Sequence, residues 1–266
     1  MNLITLTTDF GTRDWFVGAM KGAMLNVNPD AILVDLAHEV AGGDIRGGAF
    51  SLMAGYPFFP KGTVHVAVVD PGVGGPRQAI VVQTANYFFV GPDNGVLSFA
   101  LARERIKSIR RLENEDYFRK PVSRTFHGRD IFAPVAAYLS RGVSVEAFGP
   151  ALTEHVTLDW PEARVQAGKG RIEGEIVHVD RFGNLITNIG AETMRMFGDK
   201  PCEVFSGNRR LCPIAPFYGA VSAGRPLAVA GSTGFLEIAV NGASAADWLD
   251  LGVGDEVNVR PWIKSR

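Results

Sequence analysis

The chain has 266 residues, 46% of them hydrophobic and 21% charged, ordinary globular values that exclude disordered and fibrous classes and allow a core without disulfides or metal. At ~150 residues per domain the length predicts one large domain and one smaller one. Lys and Arg number 27 against 28 Asp and Glu, a net charge of -1, so there is no basic footprint for nucleic acid or for an anionic membrane.

Met1 to Leu6 has no basic n-region and runs at once into polar Thr7-Thr8-Asp9, so it reads as neither secretory signal nor anchor. No apolar run reaches the ~20 residues of a membrane span. Cys202 and Cys212 are too few for a disulfide framework, and no His cluster accompanies them, which points to a reduced, cytoplasmic protein.

In chain order, Leu3 to Thr7 reads as a strand and Phe16 to Leu25 as a helix. Ala31 to Leu36 is a second strand, Ile45 to Met53 a helix stopped by Pro57, and Val64 to Val69 an apolar run of the kind that buried parallel strands show. Ala79 to Thr84 and Tyr87 to Val90 read as a hairpin, followed by helices through Val96 to Leu101 and Asp130 to Leu139. The alternation predicts an α/β domain over 1–160 with a mostly parallel sheet, whose ligand crevice lies beyond the carboxyl ends of the strands. Turn residues over 161–170 form the expected linker. Short β segments, Gly174 to Val179, Leu185 to Ile189, Leu227 to Ala230, Phe235 to Val240 and Glu256 to Val259, with a turn at Ser206-Gly207-Asn208, predict a smaller all-β barrel or sandwich over 171–266.

The residues with chemical potential cluster at loops. Asp9 follows the first strand, where a carboxylate either accepts ribose hydroxyls or caps the helix that begins near Asp14. Asp70-Pro71-Gly72-Val73-Gly74-Gly75-Pro76-Arg77 places an acid and a base on one loop but lacks the Lys and Ser/Thr of a phosphate-binding P-loop. That pair can grip a water or simply close a structural turn. His127 precedes a helix in Thr125-Phe126-His127-Gly128-Arg129-Asp130, and Asp93-Asn94-Gly95 reads as a turn and cap. Asp9, Asp70, Asp93 and His127 imitate a hard-metal set, yet no spacing among them is diagnostic. Asn184 offers the donor and acceptor that an adenine edge requires, and Phe217-Tyr218 can stack on a base or sit in a core. Gly231-Ser232-Thr233-Gly234 lacks the Gly-x-Ser-x-Gly spacing, so Ser232 is not read as a nucleophile.

In this order Thr8-Asp9-Phe10-Gly11, Val69 to Gly74, Gly91 to Gly95, Thr125 to Asp130, Asp180-Arg181-Phe182-Gly183-Asn184 and Asn241-Gly242 closely resemble the S-adenosyl-L-methionine hydroxide adenosyltransferases. These are adenosine-forming hydrolases related to fluorinating and chlorinating enzymes. The resemblance implies an N-terminal α/β domain, a C-terminal β-barrel, a homotrimer with active sites between subunits, and no metal or cofactor. It further implies a catalytic triad of Asp70, Arg77 and His127. Asp9 would hold the ribose, Phe217 the adenine face, and Asn184 with the backbone near Gly242 the adenine edge. Asp180, Ser232 and Thr233 would face the methionine end, with Phe126, Phe182 and Asn241 as further substrate-binding positions. The halogenating relatives carry an aromatic residue in place of Asp70 and a Ser in place of Gly128, which favours water over halide as nucleophile. The alternatives are a halide-dependent adenosyl transferase, a non-catalytic adenosine or S-adenosylmethionine binding protein and, third, a metal-dependent hydrolase.

Overall fold

The computed structural model describes residues 2–166, 168, 170–198 and 200–262. Ala167 and Lys169 of the expected linker, and 263–266 of the expected second domain, lie outside them. The chain divides into two compact units, Met1–Asp159 and Trp160–Arg266.

The first unit runs β1 (Leu3–Thr8), α1 (Phe16–Val27), β2 (Ile32–Ala37), α2 (Ile45–Gly55), β3 (Val64–Val68), β4 (Ala79–Thr84), β5 (Phe88–Pro92), α3 (Ser98–Leu101), β6 (Ile106–Arg111), α4 (Ala133–Ser140) and β7 (Ala151–Leu152). Its sheet has the order β2-β1-β3-β5-β4-β6-β7. The β2-β1-β3-β5 half is parallel, with Ile4 level with Leu33 and Val64. From β5 onward every pairing is antiparallel, so the sheet is mixed and the expectation of a mostly parallel one covers only half of it. The hairpin is the cause. Thr84 Oγ1 accepts the Tyr87 N–H at 2.9 Å and closes a turn too short for a crossover helix. Buried strand β4 is nevertheless as continuously apolar as β3, so hydropathy alone could not tell the two halves apart.

Helices cover both faces. Met20 and Met24 of α1 join Ile4, Leu6, Val66 and Phe132 in one core cluster. Leu52, Tyr56, Ala67, Phe89 and Leu97 form the other. The expected helix over Asp130 to Leu139 is in fact two pieces, a π-helical turn over Gly128–Phe132 followed by α4. Such wide turns interrupt the regular ladder and often mark functional positions.

His65 of β3 is fully buried and donates to or accepts from Thr5 Oγ1 at 2.7 Å, with the Phe89 ring stacked on it. Burial pushes its imidazole down to about 3. The folded value lies below the unfolded one of ~6.5, so the unfolded chain binds the proton first as pH falls. Stability supplied by neutral His65 is therefore complete above pH ~6.5 and lost by ~1.4 kcal/mol per unit as pH falls toward 3. Urea unfolding of His65→Phe beside wild type should show this acid-side loss shrinking in the variant. Equal slopes for both would contradict it.

The second unit comprises β8 (Arg164–Gln166), β9 (Arg171–Val179), β10 (Leu185–Gly190), α5 (Ala191–Met194), β11 (Cys202–Ser206), β12 (Arg209–Pro213), β13 (Pro226–Ala230), β14 (Phe235–Val240), α6 (Ala245–Leu249) and β15 (Glu256–Pro261). Its antiparallel sheet has the order β12-β11-β15-β9-β10-β14-β13, with β8, from the stretch expected as linker, paired to β9. A bridge from Ile214 to Ala228 brings its two edges together into a nearly closed barrel-like sheet. Ile172, Ile176, Leu185, Val204, Ile238 and Val259 fill it. Cys202 and Cys212 are free and buried, and burial pushes the Cys212 thiol up to about 12. Among the described residues no helix is long and apolar enough to cross a membrane.

Candidate active site

Parallel strands β1 and β3 lie side by side with Thr8 level with Val68, so Asp9 and Asp70 leave the sheet at the same edge. This is the end where α/β folds bind ligands. Asp9 Oδ2 accepts the Gly43 N–H at 2.8 Å. The residue preceding α1 is Trp15, with no side-chain cap, so Asp9 does not cap that helix. Its neighbour Thr8 bonds His38 Nδ1 at 2.8 Å, and the Gly11 N–H donates to the His38 carbonyl at 2.8 Å, which fixes the backbone on either side of Asp9.

The loop after β3 folds back through Val73 N–H to Asp70 O (3.2 Å) and Gly75 N–H to Gly72 O (3.0 Å). Arg77 thereby returns to Asp70. Its Nε donates to Oδ1 at 2.9 Å and to Oδ2 at 3.1 Å, while Nη2 also reaches Oδ2. The side chains are only 4% (Asp70) and 12% (Arg77) exposed. Arg77 Nη2 makes a second bond, 2.7 Å to His127 Nδ1. A guanidinium has no acceptor, so His127 Nδ1 must be the acceptor, and the neutral ring carries its proton on Nε2. Burial, then the adjacent Arg77 charge, hold the imidazole below its ordinary value against the opposing pull of Asp70 and Asp130. The three residues form one hydrogen-bonded row, Asp70–Arg77–His127.

Two further features hold that row. Gly74 adopts φ +75°, and a Cβ there would collide with the Arg124 carbonyl oxygen, so the loop after β3 rests directly on the segment leading to His127. Gly74→Ala should therefore separate the two loops and lower kcat by about tenfold or more. Unchanged steady-state rates in that variant would refute the coupling. On the other side Asp130 is fully buried and accepts from Arg129 Nε (2.7 Å) and Nη2 (2.8 Å), from Arg119 Nη1 (3.2 Å) and from the Ser123 N–H (2.9 Å). Burial raises its carboxyl, but these bonds outweigh that and hold it below the usual range. Arg129 also covers the Phe126 ring, which is buried against Phe10 and Phe16. The sequence reading gave Asp130 no such role; the acidic residue directly after Gly128-Arg129 was the available signal. Asp93 and Asn94 serve the fold, accepting from Val156 N–H at 2.8 Å and donating to Val69 O at 2.8 Å respectively. Among the described residues no three His, Cys, Asp or Glu side chains converge as a metal-holding group.

In the second unit Asp180 directly follows β9 and organises the turn to β10. Its Oδ1 accepts from Phe182 N–H (2.8 Å) and Asn184 N–H (2.9 Å), and its Oδ2 from Asn184 Nδ2 (2.9 Å). Gly183, at φ +78°, leaves no room for a Cβ beside Ser244 at the start of α6. This turn forms one wall of a cavity of about 740 Å³ that gathers Asp180, Phe182, Asn184, Ser232, Asn241 and Gly242. Asn241 is fixed by donating to Val221 O at 2.8 Å. Phe217 and Thr233 are not among its lining residues; Phe217 is 61% exposed, and Thr233 Oγ1 is buried without a hydrogen-bond partner among the described residues.

Tyr218, which the sequence offers as a stacking ring, lines the cavity as well, together with Glu237 and Ser244, to which sequence reasoning gave no role. Tyr218 donates to Glu237 Oε1 at 2.6 Å. That bond, with burial, pushes the phenol up to about 12. Burial also raises the Glu237 carboxyl, helped by the charge of Asp180 and opposed by the Tyr218 bond. The signal available in the sequence was a single carboxylate inside the apolar strand Phe235–Val240.

A hydrogen-bonded acid–base row at the strand ends of an α/β unit and a cavity lined by carboxylates, amides and hydroxyls in a barrel-like unit are features of an enzyme that acts on small molecules. The model of the S-adenosylmethionine hydroxide adenosyltransferase N-terminal domain matches residues 4–149, and that of the C-terminal domain residues 174–258. The chain belongs to this family. It is 38% identical to an (R)-S-adenosyl-L-methionine hydrolase of Salinispora arenicola over 96% of this chain and 97% of that one. A more distant fluorinase of Actinopolyspora mzabensis is 25% identical, over 97% of this chain and 96% of its own. A conserved protein from Thermotoga maritima of known crystal structure superposes with a TM-score of 0.91 at 37% identity, covering 97% of this chain and 99% of that one.

Proposed function

We propose that the protein hydrolyses S-adenosyl-L-methionine to adenosine and L-methionine by direct displacement at C5′, with Asp70, Arg77 and His127 handling the water. The observation that carries the reading is the hydrogen-bonded row itself. The sulfonium leaves as a neutral thioether and needs no acid. Water is the difficult partner, because its pKa of ~15.7 leaves almost no hydroxide at neutral pH. Arg77 supplies the positive charge for developing hydroxide. His127 Nδ1 is occupied by Arg77 and Nε2 already bears a proton, so His127 donates to the water oxygen and orients it. Asp70, whose oxygens keep free lone pairs beside the Arg77 bonds, takes the proton as the O–C5′ bond forms and the C5′–S bond breaks. Holding water in line with C5′ removes much of the entropic barrier.

In this reading Asp9 holds the ribose hydroxyls and the cavity of the second unit takes the remainder. Asn184, Phe217 and Gly242 serve adenine, while Asp180, Ser232 and Thr233 serve the methionine end, with Phe126, Phe182 and Asn241 supporting them. The protein is a cytoplasmic homotrimer in which each site is completed by a neighbouring subunit. Each unit leaves large apolar side chains exposed, Trp15 and Phe58 in the first and Phe182 and Phe217 in the second, which supports contacts with a partner. Neither metal nor organic cofactor has a step to perform. A halide-dependent transfer is not favoured, because the Asp70 carboxylate would repel the anion.

Purified protein incubated with S-adenosylmethionine should release adenosine and methionine in equal amounts, unchanged by EDTA or by chloride-free buffer. Methylthioadenosine or S-adenosylhomocysteine as the main product would overturn the assignment. Asp9→Ala should raise KM by about 10- to 100-fold with kcat within a few-fold, the pattern of lost ground-state binding. A drop confined to kcat would place Asp9 in the chemistry instead.

A further inference from the structure

The second-unit cavity has a polarity that the assigned residues do not explain. Its lining contains two carboxylates, Asp180 and Glu237, and no Lys, Arg or His among the described residues. The two carboxylates are not equivalent. Asp180 is largely consumed by its own turn, with Oδ1 taking two backbone N–H bonds and Oδ2 the Asn184 amide. Glu237 is only 7% exposed, and Tyr218 engages its Oε1 alone. Its Oε2 accepts no hydrogen bond from any described residue; it rests against Gly231, where a Cβ would come within 2.9 Å of it, and the side chain lines the cavity. A carboxylate oxygen that lines a cavity and takes no donor from the protein is left for a donor on a ligand. The surroundings select a cation, and hydrogen-bond donors on that cation are required.

Resting on the reading of this chain as an S-adenosylmethionine hydrolase, we infer that Glu237 is a specificity-determining residue whose free Oε2, with Asp180 beside it, receives the α-ammonium of the substrate's methionine end. Tyr218 holds the Glu237 carboxylate in the orientation that leaves Oε2 facing the cavity. Two acids and no base make the ammonium, rather than the α-carboxylate, the feature that is read at this end. Adenosyl sulfonium compounds that keep a primary amine but lack the carboxylate are therefore substrates, and those that keep the carboxylate but lack the amine are poor ones.

The test is a substrate-by-variant cycle with S-adenosylmethionine, its decarboxylated form, and the analogue in which hydrogen replaces the α-amino group. Wild type should process the decarboxylated compound with kcat/KM within about tenfold of S-adenosylmethionine and the deaminated one about 100-fold less well. Glu237→Gln should cost about 20-fold in kcat/KM for both amine-bearing substrates, chiefly through KM, and less than about twofold for the deaminated analogue. Tyr218→Phe removes the bond to Oε1 but keeps the charge, and should lose less than Glu237→Gln on the amine-bearing substrates.

An equal loss on all three substrates in Glu237→Gln, or the same loss in Tyr218→Phe, would make Glu237 a wall of the cavity and overturn the inference. Should Glu237→Gln fail to fold, the wild-type ranking still decides, since preference for the deaminated over the decarboxylated compound contradicts an ammonium receptor. Absence of adenosine release by wild type from any of the three would instead sink the hydrolase reading.

Discussion

Asp70→Asn should lower kcat for S-adenosylmethionine by about 10²- to 10³-fold while KM changes by less than roughly threefold. Asn has the same shape and fits the same space, so substrate binding is largely preserved. What changes is chemical. The carboxylate accepts three contacts from Arg77, whereas an amide presents one oxygen and one NH₂, and the NH₂ confronts the guanidinium donor to donor. The site loses its proton acceptor, and Arg77 loses the anion that holds its fork beside His127. Steady-state kinetics with thermal unfolding as a fold control would check this. Turnover within a few-fold of wild type would remove Asp70 from the chemistry.

Arg77→Met should have the larger effect, about 10³-fold or more in kcat and, on the order of 3–5 kcal/mol, a loss of folding stability. Arg77 is the middle member of the row, bonded to Asp70 on one side and to His127 Nδ1 on the other. Removing it leaves a carboxylate that is 4% exposed without its counter-charge, and frees His127 Nδ1 to take the proton that Arg77 now excludes from it. Arg77→Lys should recover much of the stability but little of the rate. One ammonium can neutralise Asp70, yet it lacks the planar fork that reaches carboxylate and imidazole together. A Lys variant with near-normal turnover would show that charge alone suffices and that the bridging geometry is incidental.

How far these features were legible from the amino-acid sequence depended on whether they were local. Strands β1 to β3 and the helices between them were readable because buried parallel strands are continuous apolar runs and the helices repeat at 3.6 residues. The hairpin of β4 and β5 was readable as well, as two apolar runs joined by a short turn, whereas the antiparallel pairing of β4 with β6 beyond it was not. Strand β6, Ile106–Arg111, went unread because its alternation is broken by Lys, Ser and Arg. The π-helical turn at Gly128–Phe132 is a product of packing, with Asp130 drawn inward by Arg119 and Arg129. No periodicity announces it.

The site shows the same division. Asp70 and Arg77 could be paired on one short loop from the sequence alone, but whether they closed a turn or served chemistry depended on a third residue 50 positions away in the chain. His127 becomes meaningful only through the contact with Arg77. Glu237 escaped notice because strand β14 reads as core, and its partner Tyr218 was weighed as a stacking ring beside Phe217 rather than as a hydroxyl donor. Six residues of the later motifs do converge on one cavity, which ordered sequence motifs can suggest and only a fold can place.

In the proposed mechanism water attacks C5′ directly, held by Asp70, Arg77 and His127, and one isotope measurement tests this. Run to completion in ¹⁸O-water, the reaction should place the label in the 5′-hydroxyl of adenosine and leave methionine unlabelled beyond slow carboxylate exchange, and a substrate chiral at C5′ by deuterium should emerge inverted. Label absent from the 5′-oxygen, or retained configuration indicating a covalent adenosyl intermediate on a residue such as Asp70, would contradict direct attack by water.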